Sequence, residues 1–333
     1  MKSNLVSNFS FQHNKKNIIN DFIYDEFENN RSIKSLVKKK SNIIDKLIKK
    51  AWKNNNLNKK NISLIAVGGY GRGELFPFSD IDILILVKDY NDTHILKNIE
   101  KFIADIWHFK ILVGHAVRTI NECSQAMNSD ITIYTGLLES RWVCGNKKLY
   151  EELSDIIYKD AKWSNKNFLD AKKQEQEQRY WKYSNTGYLL EPDIKEGPGG
   201  FRDFQTLIWI TKKYFKTNSL ADLYNLKIIS KKERLSLLRA YRFLSKTRFF
   251  LHFINDKPEE RLFFSNQKKL AEFFGYSCET NKGVERFMQE FYKQITSIRQ
   301  LNEILIKHIE DIDSKDYLKN DLSKLNSEFV IKN

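Results

Sequence analysis

The chain has 333 residues, 41% of them hydrophobic, and a formal net charge of +14, enough length for two domains, or for one domain with a helical annex, around a proper core. No run approaches the roughly 18 to 20 apolar residues that cross a bilayer, and the start, 1-MKSNLVSNFSFQHNKK-16, lacks the apolar stretch of a signal peptide, so no membrane and a cytoplasmic address are expected. Three cysteines, Cys123, Cys144 and Cys278, lie far apart with no C-x-x-C pair, which argues against a disulfide framework and against a cysteine zinc site.

In chain order, residues 1–60 carry 14 Lys/Arg against 5 Asp/Glu, so +9 of the +14 sits there. Clustered lysines can mark phosphate binding. Here they alternate with Ile33, Leu36, Val37, Ile43, Ile44, Leu47 and Ile48 at helical spacing, which reads as the solvated side of helices over 17–53 rather than a nucleic-acid partner. The period then changes: 62-ISLIAV-67 and 81-IDILILV-87 are short, continuous and β-branched, as buried strands are. A helical run, 94-HILKNIEKFIADIWHF-109, leads to a third strand candidate, 111-ILVGHAVR-118. From about residue 119 nearly everything reads as helix, with long periodic stretches at 163–184, 231–254 and 283–310. They are interrupted at 191-EPDIKEGPGGFRDFQTLIWI-210, where Gly and Pro concentrate. The expected organisation is α+β: an N-terminal helical segment (1–60), a small mixed sheet with helices (61–145) and an all-α domain (146–333).

Within 66-AVGGYGRGELFPFSDIDILIL-86, alternation on a strand turns Asp80 and Asp82 to one face and Ile81 and Ile83 to the other. Two neighbouring carboxylates resist ionising together unless a cation lies between them. Mg²⁺ suits such an open oxygen site, because it completes its shell with water and phosphate oxygens. Gly68 and Gly69 end the preceding strand and let backbone N–H groups approach phosphate, with Ser79 and Arg72 as further nucleotide-binding candidates. The bland alternative is a tight turn with two solvent-facing aspartates. In 195-KEGPGGFRD-203, Lys195 and Arg202 could meet a phosphate or clamp the domains together, while Asp203 could serve simply as a helix cap. Arg118 is a phosphate candidate and His115 a weaker candidate base.

Gly-Gly, a spacer and Asp-Ile-Asp on an apolar strand resemble the signature of the DNA polymerase β-like nucleotidyltransferase superfamily. Together with 107-WHFKILVGHAVRT-119, 136-GLLESRWVCG-145 and 192-PDIKEGPGGFRDFQTLIWI-210, the string resembles the PII uridylyltransferase family. That resemblance implies a polymerase β-like domain followed by a helical one, and Mg²⁺-dependent transfer of UMP from UTP to a tyrosine hydroxyl of the PII signalling protein. Gly68 and Gly69 would hold the triphosphate, and Asp80 and Asp82 the metal. Three departures stand out. Leu112 occupies the place where the family carries a glutamate, so a third carboxylate is not expected there. His108 stands where the family favours aspartate. No His-Asp dipeptide occurs among six histidines, so the family's uridylyl-removing and glutamine-sensing functions are expected to be absent. A remnant that binds PII or nucleotide without turnover is the alternative, and an RNA-end nucleotidyltransferase a more distant one.

Overall fold

The computed structural model describes residues 18–28, 32–57, 60–109, 111–159, 162–183, 190–217 and 219–328; the leader reading of 1–16 falls outside them. Four strands, β1 (Ile62–Val67), β2 (Ile81–Val87), β3 (Val113–Arg118) and β4 (Arg141–Gly145), form one sheet in the order β3-β2-β1-β4. β2 and β3 run parallel, whereas β1 is antiparallel to β2 and β4. Flanking and interleaving this sheet are α1 (Ile18–Glu28), α2 (Ile33–Asn54), the single turn α3 (Gly68–Gly71), α4 (Thr93–His108), α5 (Ile120–Ser129) and α6 (Ile131–Leu138). The rest is helical: α7 (Lys147–Lys159), α8 (Asn165–Tyr183), α9 (Phe201–Phe215), α10 (Leu220–Asn225), α11 (Lys231–Asn255), α12 (Phe264–Phe273) and α13 (Lys282–Glu328). The α+β class, with a small mixed sheet followed by helices, is therefore the observed one.

β1 and β2 begin and end where their apolar runs do, because both faces of the sheet are covered. Leu64, Ala66, Ile81, Ile83 and Ile85 belong to a core that includes Ile44, Ile48 and Trp52 of α2 and Ile99 and Phe102 of α4. The Trp52 and Phe102 rings meet edge-on at 5.2 Å. The opposite face, with Ile65, Leu84 and Leu86, joins the larger core of the later helices. Local signals set the helix starts. Asp92 accepts from the N–H groups of His94 and Ile95 at the head of α4, and Thr119 with Glu122, and Ser230 with Glu233, form capping boxes at α5 and α11.

β4 corrects the reading that nearly everything after residue 119 is helical. Its five residues show no clean alternation, and they are strand because the free edge of β1 pairs with them, Ser63 with Gly145 and Leu64 with Cys144, before a register shift to Ile65 with Trp142. Strand β3 starts at Val113, two residues later than its apolar run. The three cysteines are free thiols. Among the described residues no helix is long and apolar enough to cross a membrane.

Candidate active site

The chemistry gathers where β1 ends and β2 begins. Val67 pairs with Asp82, and Asp82 with Gly114 of β3. Residues paired across a sheet share a face, so Asp82, Gly114 and Arg118 look toward the later helices, while Ile81 and Ile83 are buried against α2 and α4. Asp80 is exposed just before the strand and Asp82 is half-buried. The Asp82 carboxylate lies between two glycines. A Cβ at Gly114 would stand 2.4 Å from Oδ1, and one at Gly68 would stand 3.5 Å from Oδ2. Gly68 also has φ +56°, a conformation that favours glycine. Burial, and then the charge of Asp80, raise the Asp82 carboxyl above its usual range, against the pull of Lys195.

The turn itself is braced. Arg141 donates to both oxygens of Asp45 at 2.8 and 3.0 Å and to the Tyr70 carbonyl, and Tyr70 Oη donates to Asp45 at 2.6 Å, tying α3 to α2. A Cβ at Gly71 would sit 2.2 Å from the Glu139 carbonyl, so only glycine fits there. Buried Lys40 donates to the carbonyl of Phe76 at 2.8 Å; burial alone pulls its pKa down to about 7. Phe78 adopts φ +59°, a strained backbone for a bulky residue. Its ring packs 6.0 Å from Phe253, and Ser79 and Asp80 follow directly.

The second motif is a rigid loop facing the first. Asp193 Oδ1 accepts from the N–H groups of Lys195 and Glu196 at 2.9 and 2.7 Å, and Gly200 N–H donates to Gly197 at 2.9 Å. Gly199, at φ +77°, packs so tightly on α13 that a Cβ would fall 2.0 Å from the Ile295 carbonyl. Asp203, fully buried, accepts from the Gly199 N–H, from Arg179 and from the Tyr180 hydroxyl. Asp203 stands in the first turn of α9, but the N-cap Gly200 receives no side-chain bond; Asp203 instead ties the loop to α8, and the loop turns Lys195 toward Asp82.

Asp80, Asp82, Gly68, Gly69, Ser79 and Arg118, together with Arg72, Lys195 and Arg202, all line one cleft of about 740 Å³. Two of the arginines are already engaged. Arg72 donates to Glu139 and, at 3.0 Å, to Glu74, so its guanidinium braces the turn instead of standing open to a phosphate. Arg202 donates to both oxygens of Glu196 and to Gln205, with its guanidinium over Trp209 at 5.6 Å. Among the described residues Lys195 hydrogen-bonds only through its backbone, and its ammonium acts on Asp82 and Glu196 by charge. His115 pairs with Ile83, and its ring lies 6.4 Å from that of Trp107; it also lines the cleft, next to Gly114. Leu112 is exposed, and its carbonyl accepts from the Ile81 N–H at 2.9 Å. Two residues before Gly114 on the same strand direction, it lies on the Asp82 side. Among the described residues no group of three His, Cys, Asp or Glu side chains is placed to hold a metal.

The sequence reading missed Gly114, although a glycine interrupting an apolar strand marks a close approach. It also missed the support from α11. His252, fully buried, donates from Nδ1 to the Pro77 carbonyl at 2.6 Å, and its Nε2 faces Glu260 at 3.5 Å. Glu260 is gripped by Arg248, and the Glu260 carbonyl accepts from the Ile194 N–H at 2.8 Å. This chain links the loop before Asp80 to the loop before Lys195, and no sequence pattern announces it.

A carboxylate pair at the start of a strand, a glycine turn beside it and a facing basic loop define a nucleotidyltransferase cleft, and residues 45–137 match the family described as nucleotidyltransferase domain. Residues 167–306 match the family described as GlnD PII-uridylyltransferase. Over these residues the chain resembles both families. It is 41% identical over 283 residues to a bifunctional uridylyltransferase/uridylyl-removing enzyme of Vibrio parahaemolyticus, covering 85% of this chain and 32% of that protein. Enzymes of the same name from Hydrogenovibrio crunogenus and Stutzerimonas stutzeri are 38% and 37% identical, over 88% and 92% of this chain and 33% and 34% of theirs. The chain thus spans about a third of the length of the curated relatives it matches.

Proposed function

We propose that this chain transfers UMP from UTP to a tyrosine hydroxyl of a PII protein, with release of pyrophosphate. The observation that carries the proposal is the Asp80–Asp82 pair seated against Gly68 and Gly114 and faced by Lys195 within one cleft. The names and extent of the relatives support the choice of UMP and of PII. In the reaction the tyrosine oxygen bonds to the α-phosphorus as the bond from that phosphorus to the bridging oxygen breaks. Pyrophosphate leaves with the electron pair, and the phenolic proton is released. The chain's contribution is positioning and charge neutralisation, since the nucleophile comes from the partner.

The donor set fits a hard divalent cation. Asp80 and Asp82 offer only oxygen, and mutual repulsion and burial raise Asp82, a strain that a bound cation relieves. Asp80 and Asp82 would hold Mg²⁺, which when bound supplies charge neutralisation at the phosphates. The N–H groups around Gly68 and Gly69 and the Lys195 ammonium would receive the β- and γ-phosphates, with Arg118 and Ser79 on the same face of the cleft. The apolar Leu112 favours a second reading, in which nucleotide or PII binds without turnover. Incubation with UTP, Mg²⁺ and PII separates the two. The proposal expects pyrophosphate release stoichiometric with tyrosine modification, reduced by roughly 10²- to 10³-fold or more in Asp80→Asn. UTP binding with no turnover under any metal or effector condition would establish the second reading.

A further inference from the structure

A second cavity, larger than the cleft at about 960 Å³, lies between the start of α2 and helices α9 to α12. Arg72, Glu74, Glu139 and Gln205 line both spaces and so form the wall between them. One face of α11 is turned into this cavity, with Arg234, Leu238, Tyr241, Arg242, Ser245 and Lys246 following helical spacing, against Phe204 and Ile208 of α9.

The charge in this cavity is unbalanced. Among the described residues its acidic linings are Glu74 and Glu139. Glu74 receives Arg72 and, at 2.8 Å, the Tyr241 hydroxyl, while Glu139 receives Arg72. Lys212 donates to the Leu138 carbonyl at 3.0 Å and lies beside Glu139, whereas Lys34, Arg234, Arg242 and Lys246 form no ion pair with a carboxylate among the described residues. Lys246 is half-buried, with its ammonium 4.6 Å above both the Phe273 and Phe274 rings. Burial lowers its pKa, and no neighbouring carboxylate opposes the shift. The buried Ser245 hydroxyl lies beside the Tyr241 hydroxyl. A half-apolar enclosure of this size is that of a small-molecule site, and cations held in it without counter-charges favour an anionic occupant.

We propose that this cavity binds a small organic anion, consisting of an aromatic or branched apolar body that carries one or two carboxylate, phosphate or sulfonate groups. The apolar body would rest on Phe204, Leu238 and Phe273, and the anionic group would be met by Arg242 and Lys246. The site is separate from the catalytic cleft, and nothing in the UMP-transfer reading requires it.

Anilinonaphthalene sulfonate, an aromatic body with one sulfonate, is the probe, and phenylnaphthylamine, the same body without the charge, is its control. Fluorescence titration of the intact chain is expected to show one saturable sulfonate probe per chain, bound about tenfold or more tighter than the neutral control. The double variant Arg242→Gln, Lys246→Gln should lose about tenfold in affinity for the sulfonate and leave the neutral probe unchanged. Lys195→Gln, which removes a cation of the cleft, should bind the sulfonate as the wild type does, which places the probe outside the cleft. Should the double variant fail to fold by circular dichroism, Arg242→Gln alone carries the same comparison. Titration without saturation, equal sulfonate affinity in the charge variants, or loss of binding in Lys195→Gln would overturn the proposal.

Discussion

Gly114→Ala isolates the placement of one carboxylate from the stability of the fold. The new Cβ would lie 2.4 Å from Asp82 Oδ1, with no backbone atom nearer than the Ile81 carbonyl at 4.0 Å. That is about 1 Å inside ordinary contact, and the side chain that must give way is the Asp82 carboxylate. The strand itself has room, and alanine restricts the unfolded chain more than glycine does, so stability should move by no more than about 1 kcal/mol. A misplacement of about 1 Å at a reacting centre can cost about 10²-fold in rate. The expected result is therefore a roughly 100-fold loss of UMP transfer with weaker Mn²⁺ binding, read by electron paramagnetic resonance, and a melting temperature within about 2 °C of wild type. Wild-type activity and Mn²⁺ affinity in this variant would refute the reasoning, and so would a loss of activity fully accounted for by unfolding.

Leu112→Glu restores a carboxylate on the Asp82 side at an exposed position; stability should change by less than about 0.5 kcal/mol, and Mn²⁺ should bind more tightly in the same resonance assay. Gly199→Ala meets the opposite situation, a positive φ and a Cβ 2.0 Å from the Ile295 backbone, so denaturant titration should show a loss of about 2 kcal/mol or more. Burial would raise the Glu260 carboxyl, but Arg248 and His252 outweigh it and hold it at about 2, below its ordinary 4.5. The folded pKa lies below the unfolded one, so this stabilisation is complete above pH 4.5 and is lost as pH falls from 4.5 toward 2. Arg248→Met leaves Glu260 buried without its partner and should cost about 3 to 5 kcal/mol at neutral pH, with the stability gained across that acid window diminished.

Much of the site could be read from the sequence because its parts are local. The strand limits at Val67 and Ile81 follow from continuous apolar runs, and the shared face of Asp80 and Asp82 follows from alternation. Lys195 and Arg202 stood out because Gly and Pro gather around them in an otherwise helical region. What could not be read depends on partners distant in sequence. Arg72 resembles a free phosphate ligand until Glu139 and Glu74 are seen to hold it. β4 exists because an edge of β1 needed pairing, and the bond from His252 to Pro77 spans 175 residues. The second cavity is assembled from α1, the start of α2 and helices α9 to α12, of which only α9 carries part of a motif.

The most direct test of the central account is the intact mass of PII after incubation with this chain, UTP and Mg²⁺, in parallel with the Asp82→Asn variant. The account predicts that wild type adds one uridylyl group to a PII tyrosine and that the variant leaves PII unmodified. Unmodified PII with the wild type, under conditions where a full-length relative modifies the same PII, would contradict it, and so would modification that persists in Asp82→Asn.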